Sequence, residues 1–203
     1  IVLKTWIMLV IILRGVPGSG KSYFIKETIK ELNLEEDQYK ICSADNYFIN
    51  ENGEYKFDRN KIKLAHEQCG KDFMECLDKS TEEKKIVVFV DNTNTKFWEF
   101  SKYWQHGSKE NKTFVVSIRL PKKSDLHTKV EEGTFLDRNT HGVPSSAVKR
   151  MYDSFQSFEK KWLKQEFNKE NIFSFDINPN DFQTGFNLVL NDLNEYLFKK
   201  SED

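Results

Sequence analysis

Eight consecutive residues, Gly15-Val16-Pro17-Gly18-Ser19-Gly20-Lys21-Ser22, follow the spacing G-x-x-x-x-G-K-[ST]. Glycines at those places let the backbone turn tightly and aim its N–H groups at phosphate oxygens. A helix beginning at Lys21 would add the partial positive charge of its N-terminus at the same point. From there the Lys21 ammonium can reach β- and γ-phosphates, and the Ser22 hydroxyl can ligate Mg²⁺. The expectation is therefore ATP with Mg²⁺, against a glycine-rich turn that binds nothing. Asp45, in Ser43-Ala44-Asp45-Asn46-Tyr47-Phe48, could accept the proton of a hydroxyl attacking the γ-phosphate. It could equally be a helix cap or turn residue. Asp91 closes the apolar run Val88-Phe89-Val90, where a carboxylate can hold Mg²⁺ directly or through water. The bland alternative is a strand-ending turn, which Asp91-Asn92-Thr93-Asn94 could also form. Arg138 lies just ahead of the turn Gly142-Val143-Pro144 and could bring a mobile guanidinium onto the transferring phosphate. His141 could orient a substrate or cap that turn.

Such groups need a scaffold that brings them together. Apolar runs at Met8–Leu13, Lys40–Ser43, Ile86–Val90, Phe114–Leu120 and Ile172–Ile177 are rich in Val, Ile and Phe and do not alternate. That pattern predicts strands buried on both faces. Helical spacing fills the intervals at Lys21–Leu32, Asp58–Asp78, Lys96–Trp104, Ser145–Phe167 and Asp181–Phe198. Strands alternating with helices predict an α/β fold, a doubly wound, mostly parallel five-stranded sheet of P-loop type. Ligands of such sheets sit beyond the carboxyl ends of the strands. Gly15–Ser22, Ser43–Phe48 and Asp91–Thr95 follow the first three strands, and the long polar segment 121–144 is expected to be a lid.

The 203 residues are expected to form one domain. Lys and Arg number 31 against 32 Asp and Glu, a net charge of −1, so no overall basic footprint advertises nucleic acid. Cys42, Cys69 and Cys76 form neither a C-x-x-C pair nor an even set, which suits reduced thiols and an intracellular location. The apolar opening Ile1–Leu13 is too short and too interrupted to span a bilayer, so no membrane partner is expected. Residues 1–6 read as a leader or the end of a preceding region. His66 and Cys69 lack a second pair for zinc; Cys69 fits a core position and His66 the core's edge. Lys149, Arg150, Lys160, Lys161 and Lys164 interleave with Tyr152, Phe155, Phe158 and Trp162, better read as an amphipathic helix than as a nucleic-acid platform. His106-Gly107-Ser108 stands alone and carries no chemistry.

Taken in order, R-G-V-P-G-S-G-K-S, C-S-A-D-N-Y-F, A-H-E-Q-C, V-D-N-T-N-T-K-F-W-E-F and R-N-T-H-G-V-P resemble the polynucleotide-kinase-like P-loop domain. The resemblance is to the type found in the Nedd-four-binding protein family. More distantly, the chain is similar to the 5′-kinase domain of bacteriophage polynucleotide kinase and to the kinase-like half of the myelin cyclic-nucleotide phosphodiesterase. It runs from about Leu13 to Met151. It implies ATP-dependent phosphorylation of a 5′-hydroxyl on RNA or DNA, with Asp45 as general base and Lys21 and Ser22 on phosphates and metal. Arg138 matches a lid arginine that stabilises the transferring group. Three positions depart from the pattern. Phe48 stands where the phage enzyme has an arginine, Asn46 where relatives often have a second Asp, and His141 offers no second lid arginine. The alternatives carried forward are a small-molecule or nucleotide kinase and a non-catalytic ATP-dependent binding module.

Overall fold

The computed structural model describes residues 8–78, 87–120, 142–158 and 169–198. The strands are β1 (Leu9–Arg14), β2 (Tyr39–Cys42), β3 (Val87–Asp91), β4 (Lys112–Ile118) and β5 (Ile172–Ile177). The helices are α1 (Lys21–Glu31), α2 (Ile62–Asp78), α3 (Phe97–Gly107), α4 (Ser145–Asp153) and α5 (Phe182–Phe198). All strand pairs are parallel, in the order β2-β3-β1-β4-β5. The α/β sheet is therefore doubly wound, as its alternating elements predict.

Period-two alternation divides the strand side chains between two cores. Val10, Ile12, Val88, Val90 and Val115 face α2 and α3, packing on Ala65, Cys69, Phe73, Phe100 and Trp104. Leu9, Ile11, Leu13, Phe89, Phe114 and Val116 face α1 and α5, packing on Phe24, Ile25, Phe186, Val189 and Leu193. The central strands β1, β3 and β4 are buried on both faces, as their mostly apolar runs predict. The edge strands β2 and β5 are not; each exposes part of one face, because a helix layer covers them only partly.

One helix differs from expectation. The pattern over Ser145–Phe167 predicts a continuous helix, yet α4 ends at Asp153. Tertiary bonds win there: the Gln156 N–H donates to Thr95 O at 2.9 Å, and its carbonyl accepts from Arg14 at 2.6 Å. Those bonds take the backbone out of the helical ladder. Lys160, Lys161, Trp162 and Lys164 lie outside the described residues.

Arg14 is the one charged residue in β1, and it is fully buried. Its Nε donates to Asn94 O at 2.9 Å, Nη1 to Ser117 Oγ at 3.1 Å, and Nη2 to Thr95 O at 3.2 Å as well as to Gln156 O. The guanidinium lies between the Phe100 and Phe155 rings, 4.3 and 4.7 Å from their centroids. Burial lowers its pKa to about 9, with Arg119 adding to the fall while Asp176 and Glu99 oppose it. It remains cationic at neutral pH, as a guanidinium does. Arg14→Met should cost about 3 kcal/mol in urea unfolding, because buried carbonyls are left without a donor. Wild-type stability in that variant would show that relief of desolvation cancels the lost bonds.

Candidate functional site

Residue Gly15 directly follows Arg14, and its N–H donates to Thr93 O at 2.9 Å. A side chain at Gly15 would collide with the Ser19 hydroxyl and press on the Ile118 carbonyl, so the loop closes tightly only with glycine here. Gly18 and Gly20 take φ of 78° and 106°, the left-handed region that L side chains resist. Val16 contributes through its backbone, while its side chain is buried with Leu120, Val148 and Tyr152 and so moors the loop to α4. Gly20 is the N-cap of α1 and supplies no side-chain cap, which leaves the first-turn N–H groups for an anion. The Ser19 hydroxyl is buried without a hydrogen-bond partner among the described residues.

Lys21 folds back across the loop, its Nζ donating to Gly15 O at 3.0 Å and Val16 O at 3.3 Å. Burial lowers the pKa of its ammonium, and the carboxylates of Asp91 and then Asp45 pull it back up. Both acids thus lie within electrostatic reach of the loop lysine. Ser22 Oγ stands 3.5 Å from Asp91 Oδ2. This hydroxyl–carboxylate pair beside an anion-binding helix start suits Mg²⁺, which takes few protein ligands and completes its shell with phosphate oxygens and water.

The polar run after β3 divides its labour. Asn92 Oδ1 accepts the Ala44 N–H at 3.0 Å, and its amide donates to Cys69 Sγ at 3.4 Å. Asn94 adopts φ 47° and its amide donates to Leu13 O at 2.8 Å. Both are structural ties of the turn kind, which leaves Asp91 as the carboxylate of the strand end. Ser43 Oγ donates to Asp91 O at 2.8 Å and caps the 3₁₀ turn Ala44–Phe48 by accepting from Asp45 N. The cap is therefore Ser43, and the Asp45 carboxylate accepts instead from the Tyr55 hydroxyl at 3.1 Å.

Outside comparison bears on this geometry. No known family's sequence profile matches the chain. It is 35% identical over 152 residues, 74% of its length, to human NEDD4-binding protein 2 (Homo sapiens). Those residues amount to 8% of that protein's length. The fold matches a fungal RNA kinase with a TM-score of 0.56 at 15% identity, covering 96% of this chain and 90% of that one. A chain of the Pnkp1/Rnl/Hen1 RNA repair complex matches with a TM-score of 0.54 at 16% identity, over 80% of this chain and 48% of its own. The chain has the P-loop kinase fold and is similar in sequence to NEDD4-binding protein 2. A gluconokinase from Sinorhizobium meliloti 1021 shares the same P-loop kinase fold, with a TM-score of 0.51 at 15% identity over 95% of this chain and 97% of that one.

The P-loop domain brings Lys21, Ser22, Asp91 and Asp45 to adjoining strand ends. Arg138 and His141 lie outside the described residues, as do residues 1–6 and all of segment 121–144 except Gly142-Val143-Pro144. Cys69 is a core residue, accepting from the Tyr103 hydroxyl at 3.3 Å. His66 is not at the core's edge; it stands on the exposed side of α2, because the buried stripe of that helix runs through Ala65, Cys69, Phe73 and Cys76. Two residues carry more than their sequence context suggests. Arg14 anchors the loop from behind, flagged only by a lone charge ending an apolar run. Tyr55 holds Asp45 because Ile49 and Tyr55 bridge across a hairpin, for which Asn52-Gly53 is the turn signal.

The lowered pKa of Lys21 has a measurable consequence. Below 10.5 the unfolded chain keeps this proton at a pH where the folded chain has begun to lose it, so stability rises with pH across that window. Urea unfolding at neutral pH and near pH 10 should show wild type gaining on Lys21→Met as pH rises. A difference independent of pH would remove the buried-ammonium argument.

Proposed function

We propose that the chain is an Mg²⁺- and ATP-dependent kinase that transfers the γ-phosphoryl group to a 5′-hydroxyl of RNA or DNA. The observation that carries this reading is the convergence of Lys21, Ser22 and Asp91 with an Asp45 carboxylate oriented by Tyr55. A loop that only held nucleotide would use the first three; Asp45 gains a role only when an acceptor brings a proton to be removed. The fold shared with a fungal RNA kinase and with a chain of an RNA repair complex supports a polynucleotide acceptor. The fold shared with a gluconokinase supports the alternative, a small-molecule hydroxyl.

In this mechanism the loop N–H groups and Lys21 hold the β- and γ-phosphates. Mg²⁺, held by Ser22 and Asp91, would supply neutralising charge on the phosphate oxygens. Asp45 takes the acceptor proton as the hydroxyl oxygen bonds to the γ-phosphorus. The bond from that phosphorus to the β–γ bridging oxygen breaks, and ADP leaves. Arg138, from a lid at 121–144, is assigned to the charge on the transferring group. The reading takes residues 1–203 as one kinase domain in an intracellular setting, which suits three buried free thiols. Among the described residues no helix is long and apolar enough to cross a membrane.

The test is transfer from γ-labelled ATP to a panel of 5′-hydroxyl RNA, DNA, single nucleosides and gluconate. Oligonucleotides should be labelled, and Asp45→Ala should slow transfer roughly 10²- to 10⁴-fold while ATP binding persists. Transfer that ignores Asp45→Ala removes the mechanism, and labelling of gluconate alone selects the alternative. Tyr55→Phe should lower kcat about tenfold through lost orientation of Asp45, leaving the KM for ATP unchanged. An unaltered kcat would reduce Tyr55 to a packing residue.

A further inference from the structure

Between β2 and α2 the chain builds a small aromatic cluster beside Asp45. Phe48 is its buried hub, with Tyr47, Tyr55 and Phe57 set around it at ring-centroid distances of 5.6, 6.1 and 5.1 Å. Tyr55 is committed to the Asp45 carboxylate through its hydroxyl. Tyr47 and Phe57, by contrast, remain 40% and 57% exposed, although aromatic rings in a chain with so large a core are ordinarily drawn inside. Hydrogen bonds hold their backbone in place: Lys56 N donates to Phe48 O at 2.7 Å, and Asn50 Oδ1 accepts from Asn52 N and Glu54 N at 3.0 and 2.9 Å across the hairpin turn.

Cations cluster in sequence on the Phe57 side of these rings, whereas Asp45 and Glu51 flank Tyr47, so positions 45–63 balance at four charges of each sign. From Glu54 to Lys63 four cations (Lys56, Arg59, Lys61 and Lys63) accompany two carboxylates (Glu54 and Asp58), against −1 for the whole chain. Lys56, Lys61 and Lys63 lie 2.9, 4.0 and 3.8 Å from Glu54, Asp58 and Glu67 in exposed pairs, which exchange readily for phosphate. Arg59 has no ion-pair partner among the described residues. Exposed rings interleaved with cations, ending at a carboxylate fit to activate a hydroxyl, match the chemistry of a single strand: bases stack, phosphates pair, and one end reaches the base.

We propose that Tyr47 and Phe57, set around Phe48, stack the terminal bases of a single-stranded 5′-hydroxyl oligonucleotide, and that Arg59 and the neighbouring lysines hold its backbone phosphates. This assignment rests on the kinase reading for why a 5′ end should reach Asp45, but binding is measurable without transfer. The experiment is fluorescence anisotropy of 3′-labelled 5′-hydroxyl ten-mers, RNA and DNA, with the full chain and no ATP. The Tyr47→Ala/Phe57→Ala pair should weaken binding of both strands roughly tenfold or more, since stacking does not read the sugar. Phe57→Trp should bind at least as well as wild type, and ATP binding by every variant reports an intact fold.

An ten-mer abasic at its first two 5′ positions separates stacking from a structural effect. It should bind wild type as weakly as the double variant binds the intact strand, and cost the double variant nothing further. Arg59→Ala should reduce the slope of log K against log salt by about one. Unchanged binding in the double variant, or no oligonucleotide binding by wild type, overturns the platform. If platform-dependent binding is found without transfer, the kinase reading falls and the platform stands. If transfer is found with a KM indifferent to both rings, the platform falls and the kinase reading stands.

Discussion

A buried guanidinium whose hydrogen bonds among the described residues all go to neutral acceptors sets the geometry of the whole carboxyl edge of the sheet. Arg14 reaches the turn after β3, a serine on β4 and the chain beyond α4 in one set of hydrogen bonds. Such a group is costly to desolvate, and it persists because four of its five N–H donors find acceptors and two aromatic rings cover its faces. The phosphate loop springs from the next residue. Its start is further pinned by Gly15 to Thr93, and the strand before it by Asn94 to Leu13. The loop and the end of β3 therefore form one unit, and Ser22 and Asp91 inherit their separation from it. A positive charge fixed behind the loop also adds to the field of the helix start, favouring an anion in front of it.

The same logic extends one strand further, with weaker materials. Ser43 bonds to the Asp91 carbonyl and Asn92 to the Ala44 N–H, so the turn carrying Asp45 is hung from the end of β3. Asn92 also reaches Cys69 on α2, which ties that turn to the helix behind it. Neutral hydrogen bonds of this kind contribute about 1 kcal/mol each. The donor side is thus held by a charged network, and the acceptor side by single polar links and a two-stranded hairpin. A kinase that keeps one nucleotide but must admit varied acceptors has reason to divide its stiffness that way.

Legibility in sequence followed the range of the interactions. The central strands show as mostly apolar runs because burial on two faces admits few polar residues, and those it admits (Arg14, Thr113 and Ser117) are exceptions; the phosphate loop shows because its glycines, lysine and serine are contiguous. The edges of the sheet read less well: β2 and β5 carry exposed positions that a purely buried strand would not. Helical spacing beyond Asp153 was overruled by Gln156, whose partners Thr95 and Arg14 lie far away in the chain. His66 shares a helix with a buried stripe but not its face. Asp45 was visible as a carboxylate after a strand, yet what distinguishes it from a cap is Ser43 occupying the cap, a fact of geometry. Tyr55 could be linked to it only through the hairpin that Asn52-Gly53 turns.

The acceptor side poses a sharper physical question, because Phe48 stands where the phage enzyme that the sequence distantly resembles has an arginine. A guanidinium there could pair with a substrate phosphate directly. Phe48 cannot substitute for it, being buried at 6% exposure beneath Tyr47, Tyr55 and Phe57. What the exchange does is convert a charged contact point into the hub of an aromatic cluster whose outer rings face solvent. Two properties shift as a consequence. On the proposed reading, attraction to phosphate would move outward to Arg59 and the exposed lysines, where salt screens it. Grip on a strand end would then move to ring faces, whose strength depends little on ionic strength. An arginine contact also requires a phosphate at a fixed distance from the reacting hydroxyl, whereas a ring requires only a base. On the proposed reading, the segment from Ala44 to Lys63 would decide what the transfer site accepts, and the loop only what it donates.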